Sequence, residues 1–275
     1  MTREYRTAAA FKQALEQRLR TASTSGVDFA RRRQLVVFDR FLARVALAFG
    51  ENVTLKGGLA VELRLERART TVDVDLRLTG SPANILDRLD AAARRDLGDF
   101  LVFTIQPHPQ HPEIQNDGMQ YDGVRFRAEC RLAGKIYARP FGVDVAFGDT
   151  ILGRPEGMVA EDALAFAGIA PPRLRVYPVE THIAEKLHAY TVPRVRPNSR
   201  VKDLPDLTLL ATAQAIEVRQ LRAAIDQTFD FRGTHAVPDL LPAPPDAWNK
   251  PYASLAKENR LRRSTLEEVF EAARA

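Results

Sequence analysis

Apolar and polar residues alternate from Val72 to Leu78, and this predicts a strand with two unlike faces. Val72, Val74, Leu76 and Leu78 interleave with Asp73, Asp75 and Arg77. Side chains two apart on a strand share a face, so both carboxylates point one way while the valines point into a core. A short strand precedes it, followed by the Gly57-Gly58 turn and a helix turn or two. Further alternation predicts strands over 100–106, over Val124 to Leu132, and over Phe141 to Asp149, where Val143, Val145 and Phe147 leave Asp144 on the opposite face.

Helical spacing dominates elsewhere. Two helices are expected within residues 6–50, separated by the Ser23-Thr24-Ser25-Gly26 break, with Phe29, Val36, Val37, Phe41, Val45 and Phe49 near one face of the longer one. Arg31, Arg32 and Arg33 form a basic patch on it, read as a solvated helix face. Gly80-Ser81-Pro82 opens a helix reaching about Arg95. After Pro171-Pro172 comes a brief extended piece, then a helix starting at an N-cap Thr181 with Ile183, Leu187 and Tyr190 facing a core. Two more helices span about 207–228, residues 237–253 read as a Pro-rich loop, and one amphipathic helix closes the chain. The pattern is α/β (α+β) with a mixed sheet and a C-terminal helical region. It divides into N-terminal helices (1–50), a core (51–170) and a mainly helical part (171–275).

Composition narrows the class. The chain has 275 residues, 45% hydrophobic and 27% charged, as in ordinary globular proteins. No apolar run approaches the roughly 18 residues of a membrane span, and the N-terminus lacks a signal-peptide core, so a cytoplasmic protein without membrane contact is expected. Cys130 is the one cysteine and sits in a predicted strand, which excludes an internal disulfide. His108 and His111 are flanked by prolines and read as a surface loop, not a helical ligand pair. The net charge of +5 permits a polyanionic partner.

The candidate chemistry starts from Asp73 and Asp75. Two carboxylates side by side repel unless a cation sits between them or one is protonated, and Mg²⁺ takes one or two carboxylates plus phosphate oxygens and water. Gly57 and Gly58 let a phosphate approach backbone N–H groups at a helix start, and Lys56 adds positive charge. Taken singly, a Gly-Gly pair is often a plain turn, and strand acids are often solvated. Asp144 would be a third acid for a two-metal site. Lys186 lies in the helix after Thr181. Arg194, Arg196, Arg200 and Lys202 make a basic segment suited to an RNA backbone. It ends at Asp203 and Asp206, by default first-turn acids of a helix.

Together, Lys56-Gly57-Gly58, Arg69-x-Thr71-x-Asp73-x-Asp75, Asp144, Glu185-Lys186-Leu187-x-Ala189 and Arg200-x-Lys202-Asp203-x-x-Asp206 resemble the AbiEii nucleotidyltransferase toxins. These belong among the polymerase-β-like nucleotidyltransferases, and the resemblance covers roughly residues 50–210. It implies a toxin of a toxin–antitoxin system that moves NMP from an NTP to RNA, the tRNA 3′ end being the expected acceptor, and so stops translation. Asp73, Asp75 and Asp144 would hold Mg²⁺ or Mn²⁺. Lys56, Gly57, Gly58, Thr71 and Lys186 would meet the nucleotide, and Asp203 would orient the incoming group or fix Lys186. Thr71 replaces the Ser of many relatives, and its hydroxyl is also an acceptor for a regulatory phosphate. A cognate antitoxin that need not touch the toxin, and a monomer, are further expectations. A protein or small-molecule hydroxyl as acceptor, a silent nucleotide- or RNA-binding protein, and a metal nuclease are the rival readings.

Overall fold

The structure, a computed structural model, describes residues 5–65, 69–110, 112, 123–194 and 200–275. Two helices open the chain, α1 (Ala8–Ala22) and α2 (Gly26–Phe49). Ser25 caps α2, its hydroxyl accepting from the Asp28 N–H. Then come β1 (Val53–Lys56), α3 (Gly57–Arg64), β2 (Asp73–Leu78), α4 (Ile85–Ala93), β3 (Leu101–Pro107) and β4 (Gly123–Leu132). They are followed by β5 (Lys135–Ile136), β6 (Phe141–Phe147), β7 (Glu156–Val159), β8 (Arg173–Val176), α5 (Val179–Thr191), α6 (Asp203–Ala211), α7 (Val218–Arg232), α8 (Asn249–Asn259) and α9 (Leu266–Arg274).

Among the described residues the strands form one mixed sheet of order β3-β4-β6-β2-β1-β8-β7, with β5 against β4. β2 pairs antiparallel with β1 and parallel with β6. One face is apolar: Val53 and Leu55, Val74 and Leu76, Val143 and Val145, Phe126 and Ala128, and Leu174 and Val176 are all buried in one core with α1, α2 and α4. Inside that core an ion cluster ties α2 to the start of β3. Arg44 and Asp99 are fully buried, and Arg44 donates to both Asp99 oxygens at 2.8 and 2.7 Å and to the Leu101 carbonyl at 2.8 Å. Arg40 adds a further bond at 2.7 Å. Burial alone would neutralise Asp99, yet the two guanidiniums hold its carboxyl below the ordinary value.

The other face meets the later helices. Val61 of α3 packs with Val179 and Ile183 of α5 and Leu207 and Leu210 of α6, and a second cluster joins Tyr190 and Leu204 to Trp248, Tyr252 and Val269. β8 lies beyond residue 170 but pairs in parallel with β1, Leu55 opposite Val176, so the same sheet continues into the C-terminal part. No helix among the described residues is long and apolar enough to cross a membrane.

Five expectations need correction. Val72 precedes β2 and is exposed, because pairing with β6 begins at Asp73. Thr181 does not cap α5: Pro178, whose ring fixes φ, stands at the cap, and the Thr181 hydroxyl instead bonds the Leu152 N–H and carbonyl, both at 3.1 Å. Residues 249–253 belong to α8 and not to a Pro-rich loop. The closing segment is two helices, broken where Arg260 takes a left-handed conformation and restarted by a capping box of Thr265 and Glu268. Arg31 is not merely solvated, since it pairs with Glu62 at 2.9 Å.

Candidate active site

Strand register sets the polar face of the sheet. Lys56 lies opposite Asp75, Asp75 beside Asp144, and Asp144 opposite Arg125, so one row of charges crosses β1, β2, β6 and β4. These residues floor a cleft of about 450 Å³ walled by the start of α3, one face of α5 and the start of α6.

Glycines allow this row to close up. Gly57 has φ +67°, which favours glycine, and a Cβ there would overlap the Asp75 carboxylate. A Cβ on Gly58 would lie 2.9 Å from the Thr71 hydroxyl oxygen, and one on Gly142 would collide with the Asp73 carboxylate. The Gly142 N–H donates to Asp73 at 3.1 Å. The Thr71 N–H donates to Glu62 at 2.9 Å, so the Arg31–Glu62 pair anchors the entry to β2.

The acids are not equivalent. Asp144 receives two bonds from the Arg125 guanidinium, at 2.7 and 2.6 Å. Asp75 makes no hydrogen bond to a described residue. Burial first, and then the Asp144 charge, push its carboxyl up to about 6. Asp73 is exposed at the mouth. Arg125 holds Asp144, and no cluster of three or more His, Cys, Asp or Glu side chains among the described residues is set to hold a metal. The donors still fit a hard cation. Asp73 and Asp75 supply carboxylate oxygens on one face of the sheet, beside Asp144.

The cations are mostly spoken for by acids in and behind the cleft. Lys56 Nζ lies 2.5 Å from Asp149 and 3.0 Å from Glu185, and Arg232 reaches Asp149 at 2.9 Å. Lys186 Nζ donates to Asp203 at 2.8 Å and lies 2.8 Å from Asp206, which Arg69 grips through two bonds of 2.8 Å. Burial opposes the Lys186 charge, but Asp203 and Asp206 outweigh it and hold its pKa above the ordinary value. Asp206 shows the converse, its carboxyl lying below the usual range despite burial because of Lys186 and Arg69.

The structure thus brings Lys56, Gly57, Gly58, Thr71, Asp73, Asp75, Asp144, Lys186 and Asp203 to one cleft, with Arg200 and Lys202 at its wall. Arg194 turns aside, its guanidinium donating to the Ala189 carbonyl at 3.0 Å. Arg196, like His111, lies outside the described residues. Arg125, Asp149, Arg232 and Gly142 carry no sequence signal of their own. Arg69, Glu185 and Asp206 do, standing within the motif stretches.

The mixed sheet with its glycine turn and paired strand acids defines a nucleotidyltransferase. More particularly, the chain belongs to the AbiEii family, whose model, described as the nucleotidyl transferase AbiEii toxin of type IV toxin–antitoxin systems, matches residues 40–273. It is therefore a nucleotidyltransferase toxin of that class, for which an antitoxin is expected. In fold it is similar to the nucleotidyltransferase toxin MenT4 of Mycobacterium tuberculosis H37Rv, with TM-score 0.63 and 18% identity over 95% of this chain and 86% of that one. It is also similar to JHP933 from Helicobacter pylori, with TM-score 0.50 and 17% identity over 91% and 92% of the two chains. No curated protein matches it in sequence.

Proposed function

We propose that this cleft transfers a nucleoside monophosphate from an NTP to RNA, with the tRNA 3′ end as acceptor, and thereby inhibits translation. The observation that carries the reading is Asp73, Asp75 and Asp144 on adjoining parallel strands, against a glycine turn that leaves room only for backbone. In the reaction the acceptor 3′ hydroxyl forms a bond to the α-phosphorus, the bond from that phosphorus to the bridging oxygen breaks, and pyrophosphate departs with the electron pair. The hydroxyl proton passes to a nearby carboxylate or to solvent.

Mg²⁺ or Mn²⁺ held by Asp73 and Asp75, and by Asp144 once released from Arg125, would neutralise charge on the triphosphate and acidify the attacking hydroxyl. Gly57 and Gly58 offer N–H groups at the start of α3 to phosphate oxygens. Lys56 and Lys186 supply cations whose positions are fixed by Asp149, Glu185, Asp203 and Asp206. Asp203 acts on this reading as the group that positions Lys186. Arg200 and Lys202, with Arg194 and Arg196 alongside in sequence, give the RNA backbone a basic border. Residues 1–50 brace the sheet, 51–170 carry the transferase core, and 171–275 close the cleft from the other side. The protein acts as a monomer in the cytoplasm, and its antitoxin works without binding it.

The test offers the purified protein tRNA, a protein substrate mixture and an aminoglycoside as acceptors, with Mg²⁺ and each α-labelled NTP, beside Asp73→Ala. Label in tRNA with the unmutated protein alone supports the reading. Label in protein or in the small molecule moves the acceptor, and no label in any of them refutes it.

A further inference from the structure

Of the two described imidazoles in the wall of the cleft, His188 bonds the Thr234 hydroxyl, while His182 has no hydrogen-bond partner among the described residues. It stands on α5 one turn before Glu185 and Lys186, and spacings of three and four residues put all three on one helix face. All three line the cleft. His182 is 1% exposed, and neither ring nitrogen makes a hydrogen bond. An unmet hydrogen-bonding group in a protein interior is a net cost to folding, so the imidazole is held there at a penalty.

Its neighbours set it among the cations of the cleft. The Tyr177 ring centroid lies 6.3 Å from that of His182 and 5.2 Å from Lys56 Nζ. Lys56 is the residue on which α3 and the Gly57-Gly58 turn begin. Lys186 follows one turn later on the same helix. The charges of both lysines act on His182. Burial, followed by the Lys186 charge, holds its pKa well below the ordinary histidine value, with Asp206 opposing and Lys56 and Arg64 reinforcing. The ring is neutral, with one N–H donor and one bare nitrogen.

We propose that His182 is a positioning residue for the nucleoside triphosphate, its imidazole N–H donating to an oxygen of the β- or γ-phosphate. The proposal rests on the nucleotidyl-transfer reading and names a group specific to the triphosphate tail. A hydrogen bond to a charged oxygen contributes about 1.5–3 kcal/mol, or roughly tenfold or more in affinity. A nucleoside monophosphate has neither of those phosphates and gains nothing from the contact.

The test measures binding of ATP, GTP, CTP and UTP, and of the four monophosphates, by calorimetry without acceptor. The unmutated protein is compared with His182→Phe, which keeps an apolar ring, and His182→Gln, which keeps a donor. The expected result for the preferred nucleotide is a loss of tenfold or more in triphosphate affinity for His182→Phe, monophosphate affinity within twofold, and substantial recovery in His182→Gln. In the unmutated protein with ¹⁵N-labelled histidine, the His182 ring signals should move on adding triphosphate and stay put with monophosphate, a readout that requires no variant to fold. Unchanged triphosphate affinity in His182→Phe together with unmoved ring signals would overturn the proposal and assign the imidazole to an internal water. Equal losses for triphosphate and monophosphate would also overturn it, leaving a packing role. Triphosphate binding undetectable in the unmutated protein would remove the transfer reading as well.

Discussion

Asp75 and Asp144 are direct register partners across the parallel β2–β6 pair, yet Arg125 holds only Asp144, through two bonds of 2.7 and 2.6 Å. The Arg125 side chain is 36% exposed, so water and salt compete for its bonds to Asp144. A divalent cation drawn by Asp73 and Asp75 can therefore compete for Asp144. Arg125→Gln removes the competitor. Titrating Mg²⁺ against melting temperature should show half-saturation at several-fold lower Mg²⁺ in the variant, and an unchanged titration would show that Asp144 takes no part in binding the cation.

Gly57 has a backbone conformation and a neighbour that both exclude a side chain. Left-handed backbone costs a non-glycine residue on the order of 1 kcal/mol, and the overlap with Asp75 must be relieved as well. Gly57→Ala should lose about 2–4 kcal/mol in urea unfolding and fall at least a hundredfold in transfer activity. Gly58→Ala meets the Thr71 hydroxyl at 2.9 Å, Arg69 Nη2 at 3.1 Å and the Thr71 Cβ at 3.2 Å, but no left-handed backbone, and should be milder on both counts.

Lys186 compensates two buried carboxylates, Asp203 and Asp206. Removing one partner from a buried ion cluster costs about 3–5 kcal/mol. Lys186→Ala should accordingly lower stability by about 3 kcal/mol, with Asp206 still partly held by Arg69. Asp203→Asn leaves Lys186 with Asp206 and should cost less. Denaturant unfolding of both variants and of the double variant would show coupling, and additive losses would argue against a working Lys186–Asp203 pair.

Asp39 on α2 gives a pH signature remote from the cleft. Burial, and secondarily the Glu161 charge, raise its carboxyl to about 8, and one of its oxygens is buried with no hydrogen bond. Between about pH 4 and pH 8 the folded protein keeps a proton on Asp39 that the unfolded chain releases, so this group's contribution to stability falls as pH rises, by at most about 1.4 kcal/mol per unit. Asp39→Asn lacks that loss. Unfolding free energies at pH 5, 6, 7 and 8 should show the variant gaining on the unmutated protein at each step, and a constant gap would refute the assignment.

The local patterns were legible where a periodicity is carried by neighbouring residues. Alternation exposed β2, β4 and β6 and put Asp73, Asp75 and Asp144 on polar faces, while the glycine turn and the helix bearing Lys186 stood out in the chain. The partners of these groups were not legible, because strand pairing and helix packing bring them from afar. Lys56 meets Asp149 from 93 residues away, and Arg69 meets Asp206 from 137. Arg125 reads as one arginine among several alternating with apolar residues until the β4–β6 register sets it opposite Asp144. The break before α9 did have a local signal, Thr265 three residues ahead of Glu268, but the helical spacing on both sides hides it. Asp203 stands where its motif suggests, and the contact with Lys186 supplies a physical reason for that spacing.

The most direct test of nucleotidyl transfer compares incorporation into tRNA from NTPs labelled on the α- or the γ-phosphate, with Mg²⁺, by the unmutated protein and by Asp73→Ala. Attack at the α-phosphorus, with Asp73 and Asp75 holding the cation, predicts that α-label enters tRNA, that γ-label leaves as pyrophosphate, and that Asp73→Ala transfers neither. Entry of γ-label, or undiminished transfer by Asp73→Ala, would contradict the account.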